Sequence, residues 1–415
     1  MDQLKLLNYY KMISNFAINL VGALVALIVY QATNNIVYAA IYLVSESVIR
    51  ILYTLVLKKF YNKYPQLLLL LRIIPITLYN IFIFVLNSNL IIGVIGVCMF
   101  KALDNAMNGL PREIIFNYSS LTKSNEKSSI GVTRLFEQIG VIVALILGGF
   151  LLDTNKTLVL ILSLAIYAIS VIPLIMFYIK SRHQKTFNKD ATSNAVTTLS
   201  RNEKKKKETI KLSKKLVLTY GLVYFSFAAL DMLQTGYSLY VFIKKGEFAT
   251  AGILNAVFNL FYAVGFYIAG KINEKKDITK LVSVLAVIIG ICAIVLPFIN
   301  LDLFIVICAI YGVLGISYPF LSLFVLDRML NKSRIMACSN ASLYARELGC
   351  VVAYSVGYCA LFFGPIGLFI WIAIGMTSSS VTIPIGEEKT RQNLVDFLQN
   401  NEQASRQVVL DAKYK

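Results

Sequence analysis

The feature that most constrains this chain is a succession of apolar stretches, each about as long as a bilayer is thick. Windows of about 20 apolar residues, enough to span a membrane as helices, occur in two groups of six. They lie at 13–31, 36–57, 66–86, 89–111, 130–151 and 155–179, and again at 216–243, 249–270, 278–299, 301–326, 337–362 and 365–385. Only 15% of the residues are charged, against about 25% in soluble domains. The sequence therefore predicts an all-α polytopic membrane protein with twelve transmembrane helices.

Polar segments divide the chain into four parts. We expect an N-terminal six-helix bundle at 1–180, a basic linker at 181–215, a C-terminal six-helix bundle at 216–386 and a tail at 387–415. The linker contains RNEKKKKETIKLSKK and has too few apolar residues to fold alone.

The distribution of Lys and Arg between the loops predicts the orientation. If the N-terminus is cytoplasmic, the inner segments carry 31 Lys and Arg and the outer loops carry three, namely Lys156, Lys244 and Lys245. Cytoplasmic loops of membrane proteins are enriched in these residues. We therefore expect a multi-pass protein of the cytoplasmic (plasma) membrane with its termini, linker and tail in the cytoplasm.

An internal repeat relates the two groups of windows. At an offset of 209 residues, a stripe of small residues four apart is matched by a second stripe: Gly140, Ala144 and Gly148, then Gly349, Ala353 and Gly357. Residues 39–59 lie over 251–271 at an offset of 212, and Pro111 lies over Pro319. Small residues at this spacing share one helix face and allow a neighbouring helix to approach closely. We predict helix-packing surfaces at both stripes and two halves of common origin.

Six plus six spans, cytoplasmic ends, a long basic linker and a half-length repeat together resemble the major facilitator superfamily. The superfamily's loop signature between helices 2 and 3 is altered in LKKFYNKYPQ, where Lys58 and Asn62 replace Gly and an acidic residue. The second-half copy, GKINEKKDITK, keeps Gly270, Glu274 and Lys275 but lacks the second Gly. The resemblance implies two pseudo-symmetric bundles around a cavity lined by spans 1, 2, 4, 5, 7, 8, 10 and 11. It also implies that helices 5 and 11, with their stripes, lie where one half moves on the other.

Polar and charged residues lie inside many of the spans, where each charge costs roughly 2.5–3.5 kcal/mol on insertion scales. Such residues usually face the bundle interior, so they are our candidates for substrate binding or energy coupling. The candidates are Glu46, Arg50, Lys101, Asp104, Asn108, Arg134, Glu137, Asp231, Gln234, Asn255, Asn259, Arg346 and Glu347. Arg72, Tyr318 and Tyr354 are further polar residues within spans, but they carry less information.

Spacing suggests how some of the candidates pair. Glu46 and Arg50 stand four apart in the order that favours a same-face ion pair. Arg134 either extends to the cytoplasmic interface or joins Glu137 in an ion-pair cluster that closes the cytoplasmic side. Arg346 and Glu347 are adjacent, so they point about 100° apart and at least one needs a partner on another helix.

The polar residues of two further spans suggest different roles. In span 4, Lys101, Asn105, Asn108 and Arg112 recur every three or four residues as a stripe that is unsuited to lipid. In span 8, Asn255 and Asn259 are typical of interhelical hydrogen bonding.

No motif indicates catalysis. The chain lacks a Gly-rich phosphate loop and a nucleophile elbow, and its six cysteines show no metal spacing. We therefore predict no enzyme activity, no metal and no cofactor.

The prediction is a secondary active transporter of a small polar solute, charged or zwitterionic, working by alternating access. A multidrug efflux pump of the same fold or a lipid-handling flippase remain alternatives. Expected partners are the solute and membrane lipids, with no nucleic acid and a monomer as the functional unit.

Coupling to protons requires a titratable group at the depth of the cavity. The chain's single histidine, His183, lies in the linker, so carboxylates are the candidates. Asp231 has no basic residue within a dozen positions, and Glu46 lies near the middle of its span. We predict that Asp231 and Glu46 carry the proton, with Arg346 as a counter-charge across the cavity.

Overall fold

The structure is a computed structural model that describes residues 3–61, 64–120, 126–187, 214–271, 279–330, 336–378 and 380. Within these residues it is all helical, and no strand occurs. The α-helices are α1 (Gln3–Asn19), α2 (Val25–Thr33), α3 (Ile36–Tyr61), α4 (Pro65–Leu71), α5 (Ile73–Val85), α6 (Leu90–Ser120), α7 (Glu126–Thr154), α8 (Lys156–Phe187), α9 (Lys214–Lys245), α10 (Phe248–Lys271), α11 (Thr279–Val295), α12 (Phe304–Leu330), α13 (Met336–Cys359) and α14 (Pro365–Ser378). Most of the predicted linker and the tail lie outside the described residues.

Many of these helices have the length and the apolar composition of membrane-spanning helices. Among the described residues, seven segments are long and apolar enough to cross a membrane: Ile36–Tyr61, Pro65–Val85, Leu90–Arg112, Glu137–Thr154, Lys156–Lys180, Phe248–Ala269 and Lys280–Phe298. Three shorter apolar helices lie at Phe304–Phe320, Glu347–Phe363 and Pro365–Ser378. Large apolar side chains such as Ile91 and Val56 remain 68% exposed, as expected of a surface that faces acyl chains. Every predicted apolar window contains one or two of the helices.

Two windows that the sequence predicts as single helices are interrupted. The first breaks at residues 20–24 between α1 and α2, where the ammonium of Lys101 lies against Gly22; a Cβ there would come within 2.6 Å of Nζ. The second breaks at Arg72 between α4 and α5. Pro75 has no N–H to donate to the carbonyl of Leu71, so one helical hydrogen bond is missing at that point.

The first small-residue stripe lies against α1. A Cβ on Gly140 would lie 2.6 Å from the carbonyl oxygen of Met12, and one on Gly148 would lie 2.3 Å from that of Leu20. Ala144 between them is fully buried. The backbones of α7 and α1 therefore approach so closely that larger side chains would collide with main-chain atoms.

The second stripe lies correspondingly against α9. A Cβ on Gly357 would lie 2.3 Å from the sulfur of Met232, and Ala353 is fully buried, whereas Gly349 is half-buried. Helix α13 thus packs on α9, but at Gly357 the neighbouring atoms belong to a side chain and not to the main chain. Both stripes pack against helices of their own part of the chain.

The contact between the two parts of the chain uses other glycines. On α7, a Cβ on Gly149 would lie 2.8 Å from the carbonyl oxygen of Phe248; on α10, one on Gly252 would lie 2.4 Å from that of Leu145. Just beyond, the Asp153 carboxylate accepts the amides of Phe248 and Ala249 at 2.9 and 2.8 Å. We call this the α7–α10 contact. The sequence interpretation expected the two halves to meet at the face that contains Gly148, whereas Gly149 lies at the α7–α10 contact.

Candidate functional site

Most of the described charged residues inside the helices form ion pairs. Arg72, only 1% exposed, places Nε and Nη2 each 2.8 Å from Oδ1 of Asp104. Its Nη1 donates to Asn108 at 2.8 Å and to the hydroxyl of Tyr10 at 3.3 Å. The interruption between α4 and α5 thus holds a buried guanidinium against the polar stripe of α6. Asp104 and Asn108 are therefore bonded to the guanidinium of Arg72, a residue to which sequence reasoning gave no role.

A second ion pair lies between α6 and α7. The Oε1 of Glu137 accepts from Arg112 at 2.8 Å and from the Asn15 amide of α1 at 2.9 Å. These contacts tie three helices of the N-terminal part together. The side chain of Arg134, which the sequence offered as a partner of Glu137, lies outside the described residues.

A third ion pair connects distant parts of the chain. Arg50 on α3 pairs with Glu347 on α13, and Gly109 on α6 lies beside the same carboxylate. The spacing of Glu46 and Arg50 predicted a pair within one helix, but the guanidinium binds Glu347 instead. Glu46 accepts a hydrogen bond from the Asn105 amide at 2.7 Å. Its expected partner is therefore replaced by an amide from the neighbouring helix.

Asp231 on α9 is held by tyrosines. It accepts a hydrogen bond from the hydroxyl of Tyr354 on α13, and the Tyr318 side chain of α12 also hydrogen-bonds to it. The ring of Tyr354 stacks on that of Tyr358. The side chain of Arg346, the predicted counter-charge, lies outside the described residues. Tyrosine was too frequent in the sequence, at 24 residues, for these two to stand out.

The remaining candidates on α9 and α10 have local roles. Asn255 accepts from the hydroxyl of Ser238 at 2.9 Å, which joins α10 to α9. Asn259 donates to the carbonyl of Asn255 in its own helix at 2.7 Å. Gln234 offers its backbone carbonyl to the hydroxyl of Ser238. Of these three contacts, the Ser238–Asn255 bond joins two helices, as buried amides commonly do, and the other two lie within one helix.

The central residues lie close enough to interact electrostatically. Arg50 interacts electrostatically with Glu46 and Tyr354 as well as with Glu347, and Tyr358 does so with both Glu46 and Asp231. We call Glu46, Arg50, Glu347, Tyr354 and Asp231 the central cluster. It brings acidic, basic and phenolic groups from α3, α9 and α13 into one place. Among the described residues, no group of His, Cys, Asp and Glu is arranged to hold a metal ion.

Comparisons with known proteins address the fold. The family model of the Major Facilitator Superfamily matches residues 114–353. The structure is similar to that of a POT family transporter in complex with a thioalcohol-conjugated peptide, with a TM-score of 0.64 and 11% identity over 93% of this chain and 96% of that chain. It is also similar to a mutant of the nucleoside transporter NupG, with a TM-score of 0.61 and 9% identity over 94% of this chain and all of that chain. No curated protein sequence gives a significant match.

Proposed function

The chain belongs to the major facilitator superfamily, and on that premise we propose that it is a proton-coupled secondary transporter of a small charged or zwitterionic solute. The observation that carries the proposal is the central cluster, in which Arg50 on α3 meets Glu347 on α13. Charges inside a membrane bundle are costly and usually mark a substrate or ion pathway. Here groups of both signs converge from the two ends of the chain.

We also propose that twelve transmembrane helices form two pseudo-symmetric six-helix bundles, at 1–180 and 216–386. The packing supports this arrangement, because both stripes at an offset of 209 residues pack closely against the first helical region of their own part of the chain. Gly148 lies against the main chain of Leu20, just after α1, and Gly357 lies against the side chain of Met232 on α9. The excess of Lys and Arg in alternate loops supports cytoplasmic termini in a plasma-membrane protein.

Alternating access requires contacts between the bundles to form and break in turn. The α7–α10 contact would close one side of the membrane in the described conformation. The Arg50–Glu347 pair would hold the bundles together near the middle and separate when the opposite side opens. Protons would load onto Asp231 and Glu46, the two carboxylates of the central cluster to which a tyrosine hydroxyl and an amide hydrogen-bond.

Proton coupling is tested in proteoliposomes that contain a pH-sensitive dye. A solute panel of amino acids, dipeptides, nucleosides and sugar phosphates is added outside, and solute-dependent movement of protons is recorded. We expect at least one solute to move protons with the wild-type protein. Glu46→Gln and Asp231→Asn should each abolish uphill accumulation but spare solute exchange, which needs no net proton movement. Uphill transport that persists in both variants and still responds to a pH jump would overturn coupling through these carboxylates.

A multidrug efflux pump of the same fold is the second candidate, because the tyrosines that hydrogen-bond to Asp231 belong to a cluster of aromatic side chains. Tyr318, which contacts Asp231, packs against Tyr262 at 5.1 Å and Phe258 at 6.3 Å between ring centroids. An acidic group among aromatic faces suits a lipophilic cation. Including tetraphenylphosphonium in the panel separates the two candidates, since the polar-solute transporter should not move it.

A further inference from the structure

Among the described residues, Lys101 is a buried cation that lies outside the three ion pairs reported above. Its side chain on α6 is only 6% exposed. The three described arginines at this depth each lie against a carboxylate. Among the described residues, Lys101 forms no ion pair; Asp104, three residues on, is engaged by Arg72. Burying a charge without a close partner is costly, so the position calls for an explanation.

The surroundings of the Lys101 ammonium are aromatic and main-chain rather than acidic. Its Nζ lies 4.9 Å from the ring centroid of Tyr79, a distance suited to a cation–π contact. It also lies against Gly22 in the interruption between α1 and α2, where any larger residue would collide with it. Glu46 and Asp104 act on it only electrostatically. The ammonium therefore points at the broken helix.

That interruption presents a second positive group. Helix α2 begins three residues after Gly22, and the first amides of a helix have no acceptor within it. The amide of Leu27 donates to the carbonyl of Leu24 at 3.0 Å, so the amides of Val25 and Ala26 are the ones available to a ligand. No side chain caps the N-terminus of α2, its first turn contains no acidic residue, and the residues there are buried. The N-terminus of a helix carries a partial positive charge. An ammonium and a helix N-terminus thus lie at the same interruption, an arrangement of two positive groups that an anion would stabilise.

We infer that Lys101 and the N-terminus of α2 together bind the anionic group, a carboxylate or a phosphate, of the transported solute. This inference rests on the proposed function for the presence of a solute. Asn105, one turn from Lys101 on the same face of α6, holds Glu46. A solute whose anionic group is bound at Lys101 would therefore place its other end near the carboxylate of Glu46 in the central cluster.

The test measures thermal stabilisation of the purified full-length protein by matched pairs of compounds. Each pair compares an anion with a neutral counterpart: alanylalanine with its amide, lactate with lactamide, and glucose 6-phosphate with glucose. The carboxylate and phosphate arms distinguish the two sources of the anion. We expect at least one anion to bind about ten- to a hundred-fold more tightly than its counterpart, as a charge-assisted hydrogen bond implies.

Variants assign this preference to Lys101. Lys101→Met should remove the preference without lowering the melting temperature of the ligand-free protein, because it removes a buried charge that has no ion-pair partner. Lys101→Arg should keep part of the preference, and the exposed Lys58→Met serves as the matched control. A wild-type protein that prefers none of the anions, or a Lys101→Met protein that keeps the preference, would overturn the inference.

The outcome is separable from the proposed function. Transport that is unchanged in Lys101→Met would leave the transporter standing and remove this site. Lys101-dependent anion binding in a protein that moves no solute in proteoliposomes would support the site and count against the transporter.

Discussion

Arg72 is the largest fully buried side chain of the described residues, and four contacts compensate its charge. Nε and Nη2 lie on Asp104, and Nη1 donates to both Asn108 and Tyr10. A buried ion pair is not by itself a strong source of stability, because desolvation offsets much of the attraction. Removing one partner is different, since it leaves an uncompensated charge in a low-dielectric interior. Arg72 and Asp104 should therefore depend on each other more than the fold depends on the pair.

The Arg72–Asp104 pair can be tested by a double-mutant cycle. Arg72→Met and Asp104→Leu should each destabilise the protein by about 3–5 kcal/mol, as for other buried pairs broken on one side. The double variant should lose clearly less than the sum of the two. Thermal unfolding in detergent measures all three, and Arg112→Met in the half-buried pair with Glu137 provides a comparison that should cost less. Additive losses would mean that the two side chains do not interact.

At the scale of elements, the apolar pattern was sufficient to locate the helices but not their interruptions. Span length and hydropathy are local properties, so each predicted window contains a helix. At the first break Gly22 lies against Lys101, about 80 residues away, and no local rule anticipates that contact. The break at Arg72 had a local signal in Pro75, three residues on. The stripe around Gly148 predicted close packing, yet which neighbour it meets is decided by how the helices are arranged around it.

The α7–α10 contact makes a prediction of its own. The Asp153 carboxylate caps α10 from another helix, and loss of such a cap costs about 0.5–2 kcal/mol. Asp153→Ala should therefore weaken the contact, and amide hydrogen exchange at Phe248 and Ala249 should become several-fold faster. Glu247→Ala is the matched control, because that carboxylate lies at the same helix end but accepts from the hydroxyl of Thr250. Equal effects of the two variants would show that only the general charge at the helix end matters.

At the scale of the whole molecule, the pairs that join distant parts of the chain are those that sequence reasoning missed. The rule for residues four apart favoured Glu46 with Arg50, whereas Arg50 binds Glu347, 297 residues away. Adjacent Arg346 and Glu347 did imply a partner on another helix, and for Glu347 the structure supplies one. The kinds of residue in the site were therefore predictable from cost and depth. Their partners were not, because they depend on the packing of helices that a single sequence does not reveal.

The Arg50–Glu347 pair yields the prediction that belongs to the molecule as a whole. If it holds the two bundles together in one conformation, its charges should matter as a pair and not individually. Arg50→Glu places two carboxylates together and Glu347→Arg two guanidinium groups, so each variant should lower transport in proteoliposomes by tenfold or more. The exchanged variant, Arg50→Glu with Glu347→Arg, restores opposite charges and should recover most of the activity.

Lys59→Glu, at the exposed end of the same helix, should behave as the wild type. Folding of every variant is checked by gel filtration before transport is measured. An exchanged variant that folds normally but stays as inactive as the single ones would mean that Arg50 or Glu347 acts individually, on solute or proton, rather than as a contact between bundles.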